Sequence, residues 1–320
     1  MKLALIGIGE IAQKAYFPLL KTMEGVQIAS IMSRSAASVE KAQARWQIPV
    51  GFTKLKDVIA SRPDACLVLT TTTAHYEVAQ ELLENGLDVY LEKPATVHSW
   101  EVKALADLAA KNGRVLMVGY NRRFADFYVQ ARQLIKTDEI LQITLEKHRP
   151  FASYTSLFSQ YLDDTIHMID LLRSFDPNPI PLQTALTMRA GQPCSAVSTL
   201  RLSSGGIATI HACLGAGAWQ EKVSIHGARK SVIINAFRDL TYINEEGTRI
   251  FGPERPSSWK SELAERGFYA EVQHFMDCVR TRKTPLTDGY EAYKTQLLVE
   301  QLVQLAGEPL EHEERDRNLK

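Results

Sequence analysis

Three residues combine the types and spacing for moving a proton: a lysine in Glu92-Lys93-Pro94, and an acid and an imidazole four apart, Asp163 and His167, in "DDTIH". On a helix, residues four apart share a face. A carboxylate beside an imidazole fixes its tautomer and supports its protonated form, so His167 can accept an alcohol proton or return one. A desolvated Lys93 could polarise the same oxygen or relay its proton. The competing reading is structural, with Asp163 and His167 on a solvated helix face and Lys93 as a charge at a turn. Asp164 and Asp170 flank His167 three residues away on either side, so Asp163, His167 and Asp170 could also face a metal ion. The sequence carries no second liganding cluster, and no metal is expected.

A second set has the chemistry of a dinucleotide. Gly7-Ile8-Gly9-Glu10-Ile11-Ala12 fits G-x-G-x-x-G/A directly after an apolar run. Glycine is needed for the tight turn and for close approach of backbone to a pyrophosphate. The small third residue lets helix and strand pack, and the helix N-terminus supplies amides and a positive dipole. The next strand ends in Ser33-Arg34-Ser35, with no carboxylate to meet a ribose 2′-hydroxyl. A guanidinium between hydroxyls suits a 2′-phosphate, so NADP is favoured and NAD remains possible. Ser33 or Ser35 could equally cap the following helix. Thr70, Thr71 and Thr72 end another apolar run ahead of His75, where hydroxyls either meet the cofactor or cap a helix, and His75 and Glu92 are grouped with the expected cofactor contacts. Glu92 is either a partner for Lys93 or a helper in the turn.

Elements of two rhythms must position these residues. Over the first 120 residues, "KLALIG", "VQIASIM", "ACLVLT", "LDVYLE" and "RVLMVG" read as strands, separated by stretches with apolar residues at helical spacing. Asn85-Gly86 and Asn112-Gly113 read as helix stops and Ser99 as a cap. Strands apolar on both faces, alternating with helices, make a parallel sheet covered on both sides. From about 182 to 250 the pattern is strands and turns, after helical segments at 123–136 and around "YLDDTIHMIDLLRSF". Two more helices are expected near 261–281 and 288–305. The expectation is an α/β chain: a Rossmann domain over 1–121 and an α+β domain over 122–320 with a large, mostly antiparallel open sheet.

Composition limits the partners. Lys+Arg and Asp+Glu both number 37, which argues against steering to nucleic acid or an anionic membrane. No apolar run is long enough to span a bilayer. Cys66, Cys194, Cys213 and Cys278 are scattered without a CxxC pair, which fits reduced thiols in the cytoplasm. The substrate expected is therefore a small molecule. The polar end "EPLEHEERDRNLK" is expected to fray.

The dinucleotide turn, Glu92-Lys93-Pro94 and "DDTIHMID", in that order, resemble the Gfo/Idh/MocA family of pyridine-nucleotide oxidoreductases. "LENGLDVYLEKP", "VLMVGYNRRF" and "GFYAEVQHFMDCVRTRKTPLTDGYEA" resemble it too, and "EKHR", "YLDDTIH" and "RGFYAEVQHF" are similar to its MviM-like branch. The resemblance implies an active cleft between a Rossmann domain and a C-terminal domain whose open sheet makes a homodimer or homotetramer. It implies that Lys93 contacts substrate and nicotinamide ribose, that Asp163 and His167 do acid–base work, and that Asn121 and Arg122 lie near the cleft, Asn121 toward the cofactor and Arg122 toward the substrate. It also implies a cis bond before Pro94. Where many members carry glycines ahead of the acid, this chain has "SLFSQYL", so the pocket shape of sugar-oxidising relatives does not carry over. The expected function is hydride transfer between nicotinamide and a small polyhydroxylated or carbonyl compound, with a non-catalytic dinucleotide-binding sensor as the alternative.

Overall fold

The structure is a computed structural model that describes residues 1–150, 152–252 and 261–310. It divides into two compact units, one of Met1–Asn121 with Phe268–Lys294, the other of Arg122–Gly267 with the described residues from Thr295 onward.

In the first unit, strands and helices alternate: β1 (Lys2–Ile6), a π turn (Ala12–Tyr16) leading into α1 (Phe17–Thr22), β2 (Gln27–Met32), α2 (Ala36–Trp46), β3 (Gly51–Phe52), α3 (Leu55–Ala60), β4 (Ala65–Val68), α4 (Thr72–Glu84), β5 (Val89–Glu92), α5 (Ser99–Lys111) and β6 (Leu116–Gly119). The strands form one parallel sheet in the order β3-β2-β1-β4-β5-β6. Every residue of β4, β5 and β6 is buried, as a sheet covered on both faces requires. The order reverses between β1 and β4, and the crevice beyond their C-terminal ends is where a doubly wound sheet takes its ligand. Gly86 (φ 74°) and Gly113 (φ 60°) follow Asn85 and Asn112 in the left-handed region, which ends α4 and α5 as expected. The start of α5 differs from expectation: His98 is the residue before the helix, its amide held by Glu101 Oε2 at 3.0 Å, and Ser99 is already helical. The short β3 and α3 fall in a stretch where no strand or helix was anticipated.

Phe268–Lys294, expected in the second domain, belongs instead to this first unit. The reason is packing: Phe268 meets Tyr16 edge-on at 6.0 Å and Phe275 meets Tyr90 at 5.6 Å. Thr287 adds main-chain and side-chain bonds to Val118 at 2.8 and 2.7 Å.

The second unit runs α6 (Asp126–Leu134), β7 (Gln142–His148), α7 (Leu157–Gln160), a second π turn (Tyr161–Thr165), α8 (Ile166–Phe175), then β8 (Ile180–Arg189), β9 (Gln192–Arg201), β10 (Ile207–Cys213), β11 (Gln220–Gly227), β12 (Lys230–Asn235), β13 (Asp239–Asn244), β14 (Gly247–Phe251) and α9 (Glu262–Glu265). The eight strands order as β14-β13-β12-β11-β7-β10-β9-β8, antiparallel except where β7 meets β10. Burial alternates along β7, β10 and β11, with one face packed on helices such as α8. β14 was not anticipated. The last helices are α10 (Phe268–Thr281) and α11 (Gly289–Leu305). Most of the polar end expected to fray lies outside the described residues.

Candidate active site

In the first unit the glycine turn is set by sterics. Gly7 has φ 93°, and a Cβ there would lie 2.5 Å from the Leu69 carbonyl carbon and oxygen. Its amide donates to Met32 O at 2.9 Å, so the turn is fastened to β2 and pressed on the end of β4. A Cβ at Gly9 would meet nothing within 4 Å, which leaves that backbone open to close approach. Ala12 is fully buried under the turn, whereas Glu10 and Ile11 are exposed. These are the features that a bound dinucleotide needs, and the residues fit the group: open glycine backbone, a small packing residue and a helix start.

At the end of β2, Ser35 Oγ accepts from the Ser38 amide at 3.3 Å and caps α2. Arg34 stands exposed beside it. The threonines do not follow the capping reading: Thr71 precedes α4 with no side-chain cap bond, and its hydroxyl lies 3.4 Å from that of Thr73. Thr70 and Thr72 are half-buried at the same edge.

His75, expected among the cofactor contacts, lies inside the protein. Its ring is buried, with Nδ1 3.0 Å from the Pro94 carbonyl and Nε2 3.0 Å from the Thr70 carbonyl. Both polar atoms are used inside the protein. A neutral imidazole donates to one of these carbonyls and only the protonated ring to both, while burial pushes its pKa below the ordinary value. Glu92 is buried too, and Tyr16 donates its hydroxyl to Glu92 Oε1 at 2.8 Å. Lys93, half-buried, emerges between these two held neighbours, and the bond to Pro94 is cis. Asn121 is buried at the end of this unit's first segment.

In the second unit, the π turn carries Asp163 and the first turn of α8 carries His167. A π turn is a common device for aiming a side chain at a functional site. Asp163 is exposed and accepts from the Tyr154 hydroxyl at 2.9 Å, whereas His167 is 8% exposed. Asp170 does not join them: Arg123 grips it through two bonds of 2.8 and 2.7 Å, and Thr295 donates at 3.0 Å. No group of three or more metal-ligating side chains occurs among the described residues.

Beside Asp163 lies a buried charge network. Lys147, with no exposed side-chain surface, reaches Glu221 Oε2 at 3.2 Å and Asp164 Oδ1 at 3.5 Å. Arg149 also binds Asp164. Arg122, expected at the substrate, is committed to Glu221 by bonds of 3.1 and 2.9 Å, and Tyr128 adds a third at 3.0 Å. Burial alone would raise the Glu221 pKa, but the Arg122 and Lys147 charges outweigh it and hold the carboxyl well below the carboxylate range. Burial likewise pushes Lys147 down, against the pull of Glu221. Lys147 and Glu221 face each other in the register of β7 and β11, on the packed side of both strands. The signal was in the sequence: Ile143-x-Leu145-x-Lys147 and Glu221-x-Val223-x-Ile225 put charges in apolar stripes of period two. Trp219 stacks on Phe237 at 6.4 Å, with the Arg266 guanidinium 4.9 Å from the Phe237 ring.

Residues 1–120 match an oxidoreductase family, NAD-binding Rossmann fold, and residues 161–308 match that family's C-terminal alpha/beta domain. "Putative oxidoreductase YceM" of Salmonella typhimurium is 31% identical over 94% of this chain and 97% of its own length. The chain belongs to the Gfo/Idh/MocA oxidoreductase family. A further relative, scyllo-inositol 2-dehydrogenase (NAD(+)) of Bacillus subtilis, is 24% identical over 72% of this chain and 71% of its own. The crystal structure of the dehydrogenase MviM from Clostridium difficile superposes with a TM-score of 0.87, at 25% identity over 94% of this chain and 98% of that one. This Gfo/Idh/MocA member is thus an oxidoreductase on an NAD-binding fold. No helix among the described residues is long and apolar enough to cross a membrane.

Proposed function

We propose that this protein is an NADP-preferring dehydrogenase that exchanges hydride with a small polyhydroxylated or carbonyl substrate of the sugar or polyol class. The observation that carries the cofactor preference is Arg34, exposed at the end of β2 with hydroxyls on either side and no carboxylate in that segment. The substrate class is supported by the chain's kinship with the inositol dehydrogenase of Bacillus subtilis. A bound nicotinamide supplies the hydride donor or acceptor. Gly7, Gly9, Glu10, Ile11 and Ala12 form the turn that receives the pyrophosphate, and Thr70, Thr71 and Thr72 line the neighbouring strand end. Lys93 holds the reacting oxygen, and His167, supported by Asp163, takes or returns its proton. Arg122 serves the substrate indirectly, through Glu221 and Lys147. The reading includes a cytoplasmic protein, in keeping with four free thiols, that assembles as a homodimer or homotetramer through the open face of its eight-stranded sheet.

The test is a fluorescence titration with NADPH and NADH, followed by a screen of sugars, polyols and their carbonyl forms on the preferred cofactor. Tighter binding of NADPH by tenfold or more, with turnover of at least one compound, is expected. Tighter NADH binding overturns the preference. Tight cofactor binding with no turnover would favour a dinucleotide sensor.

A further inference from the structure

Lys93 is gripped through the residues on either side of it, and the two grips come from the two helical segments that follow the cofactor-binding turns. On the N-terminal side, Glu92 Oε1 receives the Tyr16 hydroxyl at 2.8 Å. The Tyr16 hydroxyl also lies 2.8 Å from that of Tyr90. All three side chains are buried, Tyr16 and Tyr90 fully. Gly119 is needed for this arrangement, because a Cβ there would lie 2.5 Å from the Tyr90 hydroxyl. Tyr16 closes the π turn that starts at Ala12 of the glycine motif.

On the C-terminal side, the Pro94 carbonyl lies 3.0 Å from His75 Nδ1, and the same ring reaches the Thr70 carbonyl through Nε2. His75 sits in the first turn of α4, directly after the threonine run. The peptide against which Gly7 is packed, Leu69–Thr70, directly precedes the Thr70 carbonyl that the ring reaches. The residues on both sides of Lys93, Glu92 by its side chain and Pro94 by its carbonyl, are therefore held by groups of the segments that present Gly7–Ala12 and Thr70–Thr72.

We infer that Tyr16 and His75 are positioning residues that fix the direction of the Lys93 side chain relative to the dinucleotide turn, without touching substrate themselves. The inference rests on the proposed role of Lys93. A lysine has four rotatable bonds and loses reactivity steeply when its root is free to shift, since an error of about 1 Å in placement can cost roughly a hundredfold in rate.

The experiment is reductive methylation of the protein's lysines with 13C-formaldehyde, with the Lys93 resonance assigned from Lys93→Arg. It is run on wild type, Tyr16→Phe, His75→Leu and His75→Gln, each checked by circular dichroism and thermal melting, with NADPH affinity measured in parallel. In wild type the Lys93 signal is expected to stand apart from those of surface lysines. In Tyr16→Phe and His75→Leu it should collapse toward them, and His75→Gln, whose amide can still donate to a carbonyl, should recover part of the separation. NADPH affinity should change less than about threefold. With the substrate found by the screen, kcat should fall about tenfold to a hundredfold at nearly constant KM for NADPH. A Lys93 signal unmoved in folded Tyr16→Phe overturns the inference, and this isosteric variant decides it even if His75→Leu does not fold. Equal losses in His75→Leu and His75→Gln count against the role of His75. Failure of the wild type to bind either nucleotide would defeat the proposed function, while the Lys93 signal would still judge the positioning role.

Discussion

Gly7 and Lys93 bear different burdens and should fail in different ways. Any side chain at Gly7 strikes the Leu69–Thr70 peptide, and φ 93° is unfavourable for a residue with a Cβ. Gly7→Ala is expected to weaken nucleotide binding at least tenfold and lower the melting temperature by several degrees, measured by fluorescence titration and by thermal melting. Lys93→Met leaves the turn untouched. NADPH affinity should stay within a few-fold while turnover disappears, and normal turnover would refute the lysine's catalytic role. The tight turn at Gly7 and the strand end just before Lys93 were legible in the sequence because motif spacing reports backbone demands and strand ends. The buried setting of His75 was not, because a histidine buried on two carbonyls and one facing a ligand look alike in sequence.

At the level of elements, β7 and β11 hold opposite charges where core residues belong. Removing one partner of a buried ion pair leaves the other uncompensated, at a cost of about 3–5 kcal/mol. Glu221→Gln should therefore lose most of that amount in urea unfolding, far more than a surface pair such as Arg229 with Glu245. The pH dependence has a definite sign. The Glu221 carboxyl titrates lower in the folded than in the unfolded chain, so its stabilisation is complete above the unfolded value of about 4.3. It is lost as pH falls through the folded value. A pH series of melts on wild type and Glu221→Gln should differ at neutral pH and converge in acid. Strand alternation predicted these elements well, but the inward charges Lys147 and Glu221 were not among the expected site residues.

For the whole molecule, buried titratable groups define the pH window of stability. Burial depresses the pKa of His75, and of the less buried His211 and His274, so the unfolded chain binds protons that the folded chain refuses. Stability should decline as pH falls below about 6.5. Burial raises the phenols of Tyr16, Tyr90 and Tyr128 well above their ordinary range. The unfolded chain then releases protons first, and stability should decline again as pH rises past about 10. Urea midpoints measured from pH 5 to 11 should trace a plateau with both shoulders. The return of Phe268–Lys294 to the first unit was hidden, since helical periodicity says which face is apolar but not which sheet it covers. Each of the two π turns, Ala12–Tyr16 and Tyr161–Thr165, holds one residue more than the α-helical frame accommodates. One lies beside the glycine motif and one bears Asp163. Each bulge takes up its extra residue locally, so deleting that residue should close the turn into ordinary α-helix with the flanking segment kept in frame. A deletion in a regular stretch would instead turn that segment by roughly 100° about the helix axis.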